Sequence, residues 1–432
     1  MRAWFRAILG VSLGLGLMAA PPSTARAGFR AGVAVRIVTP QPLLPVSGGL
    51  GPAQAVTRKL GEITVRALVL ADDHTRVAWV TTDFLGFPAV LGDRVRHLVR
   101  DVPPDNVLIA ATHTHSAPDC YGIPDGRGGS GADLGYLDSV VGRIAEAIHE
   151  AATRAEPATL KVATGEVHGK IAYNAYAEAL FDPRCSVIQL LDARGHPLAT
   201  LVNYAVHPEV LGSAQGVLSP DLVGPLVDRL AERGAGVGLF FNGAVGGMIT
   251  ADNRGPDGKS QRSWSECVRI GTLLADEALR LLESAPVQIE PTLACASRRV
   301  AFSVDSPELR TVLTGSPLGY RLDADGRIGT RINLVDLGNA QVLTIPGEAL
   351  PNVGAYLKRK MRGEHNLLFG LTNDAFGYIL AAVDWGSFRK YAYVSRVSLG
   401  ESTGEVLIQA ALGLVADTPR PGRLEARRVS CP

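Results

Sequence analysis

Apolar runs that end in a polar side chain recur along this chain, and this pattern most constrains its fold. The clearest example is Val107–Ala111, which is followed by Thr112 and two closely spaced histidines. Short apolar runs bounded by polar or turn-forming residues predict buried strands. Between such runs, apolar residues recur at intervals of three and four, which predicts amphipathic helices. Interleaved strands and helices favour an α/β fold of mixed β-sheets layered with helices.

The residues at the ends of these predicted strands are the candidates for a functional site. In open α/β sheets, sites form beyond the carboxyl ends of the strands. We therefore expect one shared pocket at the strand carboxyl ends. The strand-end residues are Asp83, His113, His207, Asn242 and Glu348.

Two of the nine histidines follow the same strand. In extended backbone, His113 and His115 would lie on one face because side chains alternate. Neutral imidazoles are common zinc ligands, but either ring could instead hydrogen-bond within a turn. His207 ends another strand before Pro208, and it too is either a ligand or a hydrogen-bonded strand-end residue.

Composition excludes some classes of function. The 432 residues are 46% hydrophobic and carry a formal net charge of +1. A charge so near zero gives no electrostatic reason to expect nucleic acid or an anionic membrane surface as a partner. The five cysteines contain no CxxC pair, so a zinc ribbon is not indicated.

The N-terminal segment reads as an export signal. Arg2 and Arg6 precede an apolar run from Ala7 to Ala20, and small residues at Ala25 and Ala27 suit cleavage. This pattern predicts a signal peptide over residues 1–27 and a secreted or periplasmic protein. No other segment is long and apolar enough to predict a membrane span.

Five motifs in a fixed order resemble the neutral/alkaline ceramidase family. They are NVLIAATHTHSAPD, NYAVHPEVL, FFNGAVGG, LTIPGE and LTNDAFGYI, and VRIVTP resembles the family's opening strand. The resemblance runs from Gly28 to about Leu399. It implies a ceramidase-like domain over residues 28–432. Family enzymes commonly add an immunoglobulin-like C-terminal domain, for which this chain ends too soon, and the last thirty residues read as a Pro/Arg-rich tail.

The resemblance implies a ligand set for one zinc ion (Zn2+). Two imidazoles, a carboxylate and a phenol oxygen form a donor set that suits zinc. Glu348 could instead be a first-turn helix acid, and Tyr378 a core tyrosine. The implied ligands are His113, His207, Glu348 and Tyr378.

The resemblance also implies catalytic groups. His115 would act as acid/base or hydrogen-bond donor at the scissile group. A later family tyrosine stabilises the oxyanion, and of Tyr391 and Tyr393 we favour Tyr393.

The chain departs from the family at its glycine-rich turn. Gly247 and Ile249 replace an aspartate and a catalytic serine, and Thr250, one position further on, is a candidate for the catalytic role of that serine. The simpler hypothesis is attack by a zinc-activated water, with His115 moving protons. Backbone amides of Gly246 and Gly247, with Asn242, could face an oxyanion; the alternative is a tight turn packed under the sheet.

The sequence therefore predicts an exported zinc-dependent hydrolase of an amide (or ester) bond in an N-acyl, lipid-like substrate. The polar, glycine-rich loop Gly122–Asp133 counts against a long-chain lipid. One alternative is a secreted binding protein that has lost catalysis on the same scaffold. A zinc phosphoesterase or deacetylase is another, because ligands alone do not define the scissile bond.

Overall fold

A computed structural model describes residues 28–125 and 128–421. The predicted signal peptide and Cys431 lie outside these residues. The strands are β1 (Arg30–Ile37), β2 (Val46–Ser47), β3 (Arg58–Lys59), β4 (Thr64–Ala71), β5 (Arg76–Thr82), β6 (Val107–Ala111), β7 (Ala117–Pro118), β8 (Glu156–Glu166), β9 (Ala172–Asn174), β10 (Arg184–Asp192), β11 (Pro197–Tyr204), β12 (Val217–Leu218), β13 (Val237–Asn242), β14 (Ile249–Ala251), β15 (Val287–Gln288), β16 (Leu293–Ser303), β17 (Arg327–Leu337), β18 (Ala340–Thr344), β19 (Glu348–Ala349), β20 (His365–Phe369) and β21 (Tyr378–Ile379). The α-helices are α1 (Ala89–Leu98), α2 (Leu134–Thr153), α3 (Val223–Glu232), α4 (Trp264–Leu282), α5 (Pro307–Gly315), α6 (Pro351–Lys360), α7 (Tyr391–Arg396) and α8 (Thr403–Asp417).

Two mixed sheets form the centre of the fold. The larger has the strand order β13-β11-β10-β8-β1-β4-β5-β6, with β15 added beside β8, and the smaller has the order β16-β17-β18-β20. Most neighbours are antiparallel, but β5 and β6, β11 and β13, and β18 and β20 pair in parallel. Residues that follow β6, β11 and β18 come together: the rings of His113 and His207 lie 4.7 Å apart, and Nε2 of His207 lies 3.1 Å from Oε2 of Glu348.

The two sheets pack face to face through a shared apolar core. Trp79 of β5 meets Phe369 of β20 with ring centroids 5.3 Å apart, and Phe241 of β13 stacks on Phe369 at 4.0 Å. These large side chains are fully buried. Rings of this size contribute much of the burial energy in a core, so this cluster holds the sheets in register.

Helices cover both outer faces. The larger sheet is covered by α1 and α2 at one end and by α3 and α4 at the other, while α6 and α8 pack on the smaller sheet. The resulting order of layers is helix, sheet, sheet, helix. The predicted α/β fold of mixed sheets layered with helices is confirmed.

The prediction for the C-terminal segment was wrong in part. The last thirty residues were expected to form a tail, but Thr403–Asp417 is the helix α8. Leu407, Ala411 and Leu414 of this helix are buried against the smaller sheet. The proline and arginine residues that suggested a tail come later in the chain.

No helix within residues 28–125 and 128–421 is long and apolar enough to cross a membrane. The four cysteines in this part of the chain are unpaired, and three of them are buried.

Loss of the ring of Phe369 should destabilise the fold. We expect Phe369→Ala to lower the free energy of unfolding by about 3–5 kcal/mol, because it leaves a cavity between the two sheets. Phe388→Ala is the matched control, since this ring is 66% exposed, and it should change stability by less than about 0.5 kcal/mol. Urea unfolding measures both values. Equal losses in the two variants would contradict the assigned core.

A candidate metal centre at the strand ends

Three buried or half-buried histidines meet beyond the carboxyl ends of the parallel strands. His113 and His115 follow β6, and His207 follows β11. One nitrogen from each of these imidazoles can be chosen so that all lie within 4.8 Å of one another. Such a cluster could hold a metal ion.

The backbone at His113 is not extended, as the sequence interpretation assumed. Strand β6 ends at Ala111, and His113 has a φ of +74°, a left-handed conformation that non-glycine residues rarely adopt. Its amide donates to the carbonyl of Phe84 (2.9 Å). This turn brings the Nε2 atoms of His113 and His115 to 3.4 Å. The two rings meet as expected, but through backbone strain at the site and not through strand alternation.

The second ring nitrogens fix the orientation of two imidazoles. Nδ1 of His113 lies 2.5 Å from the carbonyl oxygen of Leu85, and Nδ1 of His207 lies 2.6 Å from that of Ile249. A carbonyl can only accept, so Nδ1–H must donate. In a neutral ring, Nε2 is then unprotonated and has a lone pair free to bind a metal ion, which is the arrangement found for metal-bound histidines.

Glu348 supplies a buried carboxylate between these rings. Its Oε2 lies 3.1 Å from Nε2 of His207 and 3.5 Å from Nε2 of His113. Burial would raise the pKa of Glu348, but the two histidines outweigh this effect and hold it well below its ordinary value. Conversely, burial would lower the pKa of His207, but the hydrogen bond to Glu348 and nearby carboxylate charge raise it to about 9.

His115 differs electrostatically from its two neighbours. Burial is the main cause that lowers its pKa, to about 3, and the nearby His113 and His207 act in the same direction. The ring is therefore neutral over the physiological range of pH. A neutral imidazole next to a metal site can accept or relay a proton.

Both predicted tyrosines lie at the site. Tyr378 pairs with Glu348 in the register of β19 and β21, so these two side chains start from adjacent positions. The Tyr378 hydroxyl contacts the sulfur of Met248 at 3.6 Å, and its ring lies 5.9 Å from that of Tyr393. Burial, followed by the charge of Glu348, raises the pKa of Tyr378 well above its ordinary value, so the phenol is protonated.

Glu209 is a site residue that the sequence interpretation missed. Its Oε2 lies 3.9 Å from Nδ1 of His115. Burial would raise the pKa of Glu209, but the nearby His207 and His115, together with the Thr250 side chain, lower it. Thr250 therefore lies beside this carboxylate at the site. The signal was present in the sequence, because Glu209 follows the candidate ligand His207 by two residues.

The residues predicted to form an oxyanion site have other contacts. The Asn242 side-chain amide donates to the carbonyls of Thr112 and Val206, and its oxygen accepts from the Val206 amide. The Gly246 amide donates to the carbonyl of Ala349. These contacts join the strand ends, and they favour the packed-turn alternative. The oxyanion role of this set, with Gly247, remains an untested prediction.

A cleft leads from the protein surface to His113, His115 and Glu348. It encloses about 800 Å³ including its open mouth. The walls are largely apolar, contrary to what the polar loop Gly122–Asp133 suggested. Other parts of the chain supply most of the wall, and this loop contributes only its apolar residue Ile123. The apolar wall residues are Leu50, Leu85, Ile123, Leu309, Val312, Leu313, Phe376, Val397 and Leu399.

The close approach of Gly246 to β19 should be essential for the position of Glu348. A Cβ atom at Gly246 would lie 2.2 Å from the Glu348 carbonyl oxygen. We expect Gly246→Ala to lower the free energy of unfolding by about 1–3 kcal/mol, because the strand must shift. Gly329→Ala is the control, since a Cβ there meets nothing within 4 Å. Chemical unfolding measures both, and an unchanged Gly246→Ala protein would refute the predicted clash.

Sequence comparison finds three curated relatives that are all neutral ceramidases. The chain is 25% identical to neutral ceramidase B of Dictyostelium discoideum over 308 residues, which cover 56% of this chain and 42% of the relative. It is 28% identical to neutral ceramidase A of the same organism over 237 residues, covering 45% and 32%. It is also 28% identical to the neutral ceramidase of Pseudomonas aeruginosa over 178 residues, covering 36% and 26%. The matched regions thus span less than half of each relative, and no family model matches the chain.

Comparison of structures covers more of the chain. The crystal structure of neutral ceramidase from Pseudomonas aeruginosa superposes with a TM-score of 0.71 at 17% identity, over 92% of this chain and 76% of that one. A structure described as ceramidase complexed with C2 gives a TM-score of 0.72 at 17% identity, over 93% and 78%. The fold is therefore shared. Parts of the sequence of this chain are also similar to three curated neutral ceramidases.

Proposed function

We propose that this chain is an exported, zinc-dependent hydrolase that cleaves an amide (or ester) bond in an N-acyl substrate with an apolar chain. The observation that carries the proposal is that His113, His115 and Glu348 line an apolar cleft. A pocket with apolar walls and a few polar groups at one end suits a ligand with a long apolar part and one reactive group. Export is supported by the N-terminal pattern alone.

The donor set fits zinc. His113, His207 and Glu348 would hold the ion through Nε2, Nε2 and a carboxylate oxygen, and Tyr378 offers a phenol oxygen next to Glu348. Three strong ligands and one weak one leave a coordination position for chemistry. Bound zinc would supply a Lewis acid that polarises a carbonyl and lowers the pKa of a water molecule.

The remaining site residues would handle the proton and the substrate. His115 is neutral and lines the cleft, so it can take a proton from the attacking group and return it to the leaving nitrogen or oxygen. Glu209 contacts the far nitrogen of this ring and would stabilise its charged form. Tyr393 also lines the cleft, and its hydroxyl could donate to the developing oxyanion. Thr250 would act through Glu209.

The roles of His115 and His113 should separate in mutants. We expect His115→Ala to retain zinc, because His113, His207 and Glu348 remain, but to lose about 10²- to 10⁴-fold in kcat. His113→Ala should lose both zinc and activity. Metal analysis of the purified proteins and hydrolysis of a panel of N-acyl amides and esters measure these outcomes.

His149→Ala serves as the control for this experiment, because His149 is exposed and contacts Asp101. It should behave like the wild type. If wild-type protein with bound zinc hydrolyses nothing in the panel, and His115→Ala binds the compounds equally well, the hydrolase proposal fails. A binding protein on the same scaffold would then be the better account.

Zinc affinity should rise with pH. The pKa of His207 is raised to about 9 by its contact with Glu348, so below this pH zinc must displace a proton. Because zinc displaces one proton from His207, each decrease of one pH unit should weaken the apparent zinc affinity by about tenfold. The expected loss between pH 8 and pH 6 is about a hundredfold. Competition titrations with a zinc-binding dye measure the trend. Equal affinity at the two pH values would contradict the proposed His207–Glu348 ion pair.

A further inference from the structure

Exposed apolar side chains lie on the segment that supplies Tyr393 to the wall of the cleft. Tyr393 lines the cleft and is 40% exposed, while Phe388 and Val383, on the same segment, are 66% and 79% exposed. Exposed large apolar residues that are scattered singly need no explanation, but a cluster beside a ligand cleft marks an interaction surface.

The exposed ring of Phe388 packs on a second aromatic ring of the same segment. It packs edge-on against Tyr391 with centroids 5.6 Å apart, and Tyr391 lies 6.0 Å from Tyr176. Val394, one turn of α7 further on, is fully buried. The aromatic residues thus form a row fixed to the core, and Phe388 projects from its outer end.

The net charge of the whole chain, +1, gives no reason to expect an anionic membrane as partner, but cationic side chains lie locally beside this row. Arg389, Lys390 and Arg396 are all exposed. Arg396 pairs with Glu308 at 3.7 Å, whereas Arg389 and Lys390 make no ion pair with any residue in the described part of the chain. Lys390 instead reaches the carbonyl of Tyr176.

We propose that Val383, Phe388 and Tyr393, together with Arg389 and Lys390, form a docking surface for an anionic lipid bilayer. Apolar side chains next to cations bind such surfaces by inserting the former among the lipids and pairing the latter with the headgroups. A bilayer suits this surface better than a protein partner because Tyr393, which is exposed on this surface, also lines the apolar cleft. Docking there would present the cleft to molecules within the membrane, an inference that extends the proposed lipid-like substrate.

Binding to vesicles tests this surface without any substrate. The probes are vesicles of phosphatidylcholine alone and of phosphatidylcholine mixed equally with phosphatidylglycerol. Wild-type protein should sediment with the mixed vesicles and much less with the neutral ones. Val383→Ser/Phe388→Ser should weaken binding to the mixed vesicles by about tenfold or more, and Arg389→Gln/Lys390→Gln should remove most of the preference for anionic lipid.

Ile289→Ser is the matched control. Ile289 is 73% exposed but lies near the β17–β18 turn, since its neighbour Gln288 contacts Asn339; the site lies beyond the opposite end of β18. This variant should bind as the wild type does.

Three results would overturn the proposal: wild-type protein binds neither vesicle, the control loses as much binding as Val383→Ser/Phe388→Ser, or light scattering shows that the surface instead joins two copies of the chain. Because the vesicles contain no N-acyl substrate, these outcomes are independent of whether the chain is a hydrolase.

Discussion

The buried carboxylate of Glu348 is the group on which the rest of the site depends. A carboxylate removed from water is unfavourable unless it is paired and hydrogen-bonded, and here it lies between the Nε2 atoms of His113 and His207. These three residues come from distant parts of the sequence. The packing of the two sheets brings together the segments that follow β6, β11 and β18, which carry these side chains. The aromatic core between the sheets therefore also determines the geometry of the site.

The same arrangement explains several unusual local features. His113 adopts a left-handed backbone conformation, and so do Met248 and Asn373 on neighbouring segments. Strained conformations of this kind are retained where the surrounding structure requires them. Gly246 allows its own backbone to approach that of Glu348 at a distance that no side chain would permit. The strained His113 and the closely approaching Gly246 both lie in direct contact with Glu348, the charged group of the site.

Much of this could be predicted from the sequence, for physical reasons. Apolar runs of strand length and helical periodicity depend on local burial, and they gave the α/β layers and the strand ends correctly. The conformation of His113 could not be predicted, because it results from contacts with Phe84 and Leu85 in the segment that follows β5. The apolar cleft was missed for a similar reason: α5 and the segment after β21 form its walls, and neither is close in sequence to the histidines. Glu348 was a strand-end candidate, but its role as a metal ligand, like that of Tyr378, was implied only by the family resemblance. Nothing in the local sequence distinguishes these two residues from a helix-start acid and a core tyrosine.

Diffraction from crystals of the mature protein, measured at the zinc absorption edge, tests the central claim most directly. The account predicts one strong anomalous peak in contact with Nε2 of His113, Nε2 of His207 and a carboxylate oxygen of Glu348, at about 2.0–2.2 Å from each. Tyr378 should lie on the side of the peak next to Glu348. If crystals grown with zinc show no peak at this site, or a peak bound only by surface residues, the His113–His207–Glu348 cluster is a hydrogen-bonded structural network, and the zinc hydrolase account is wrong.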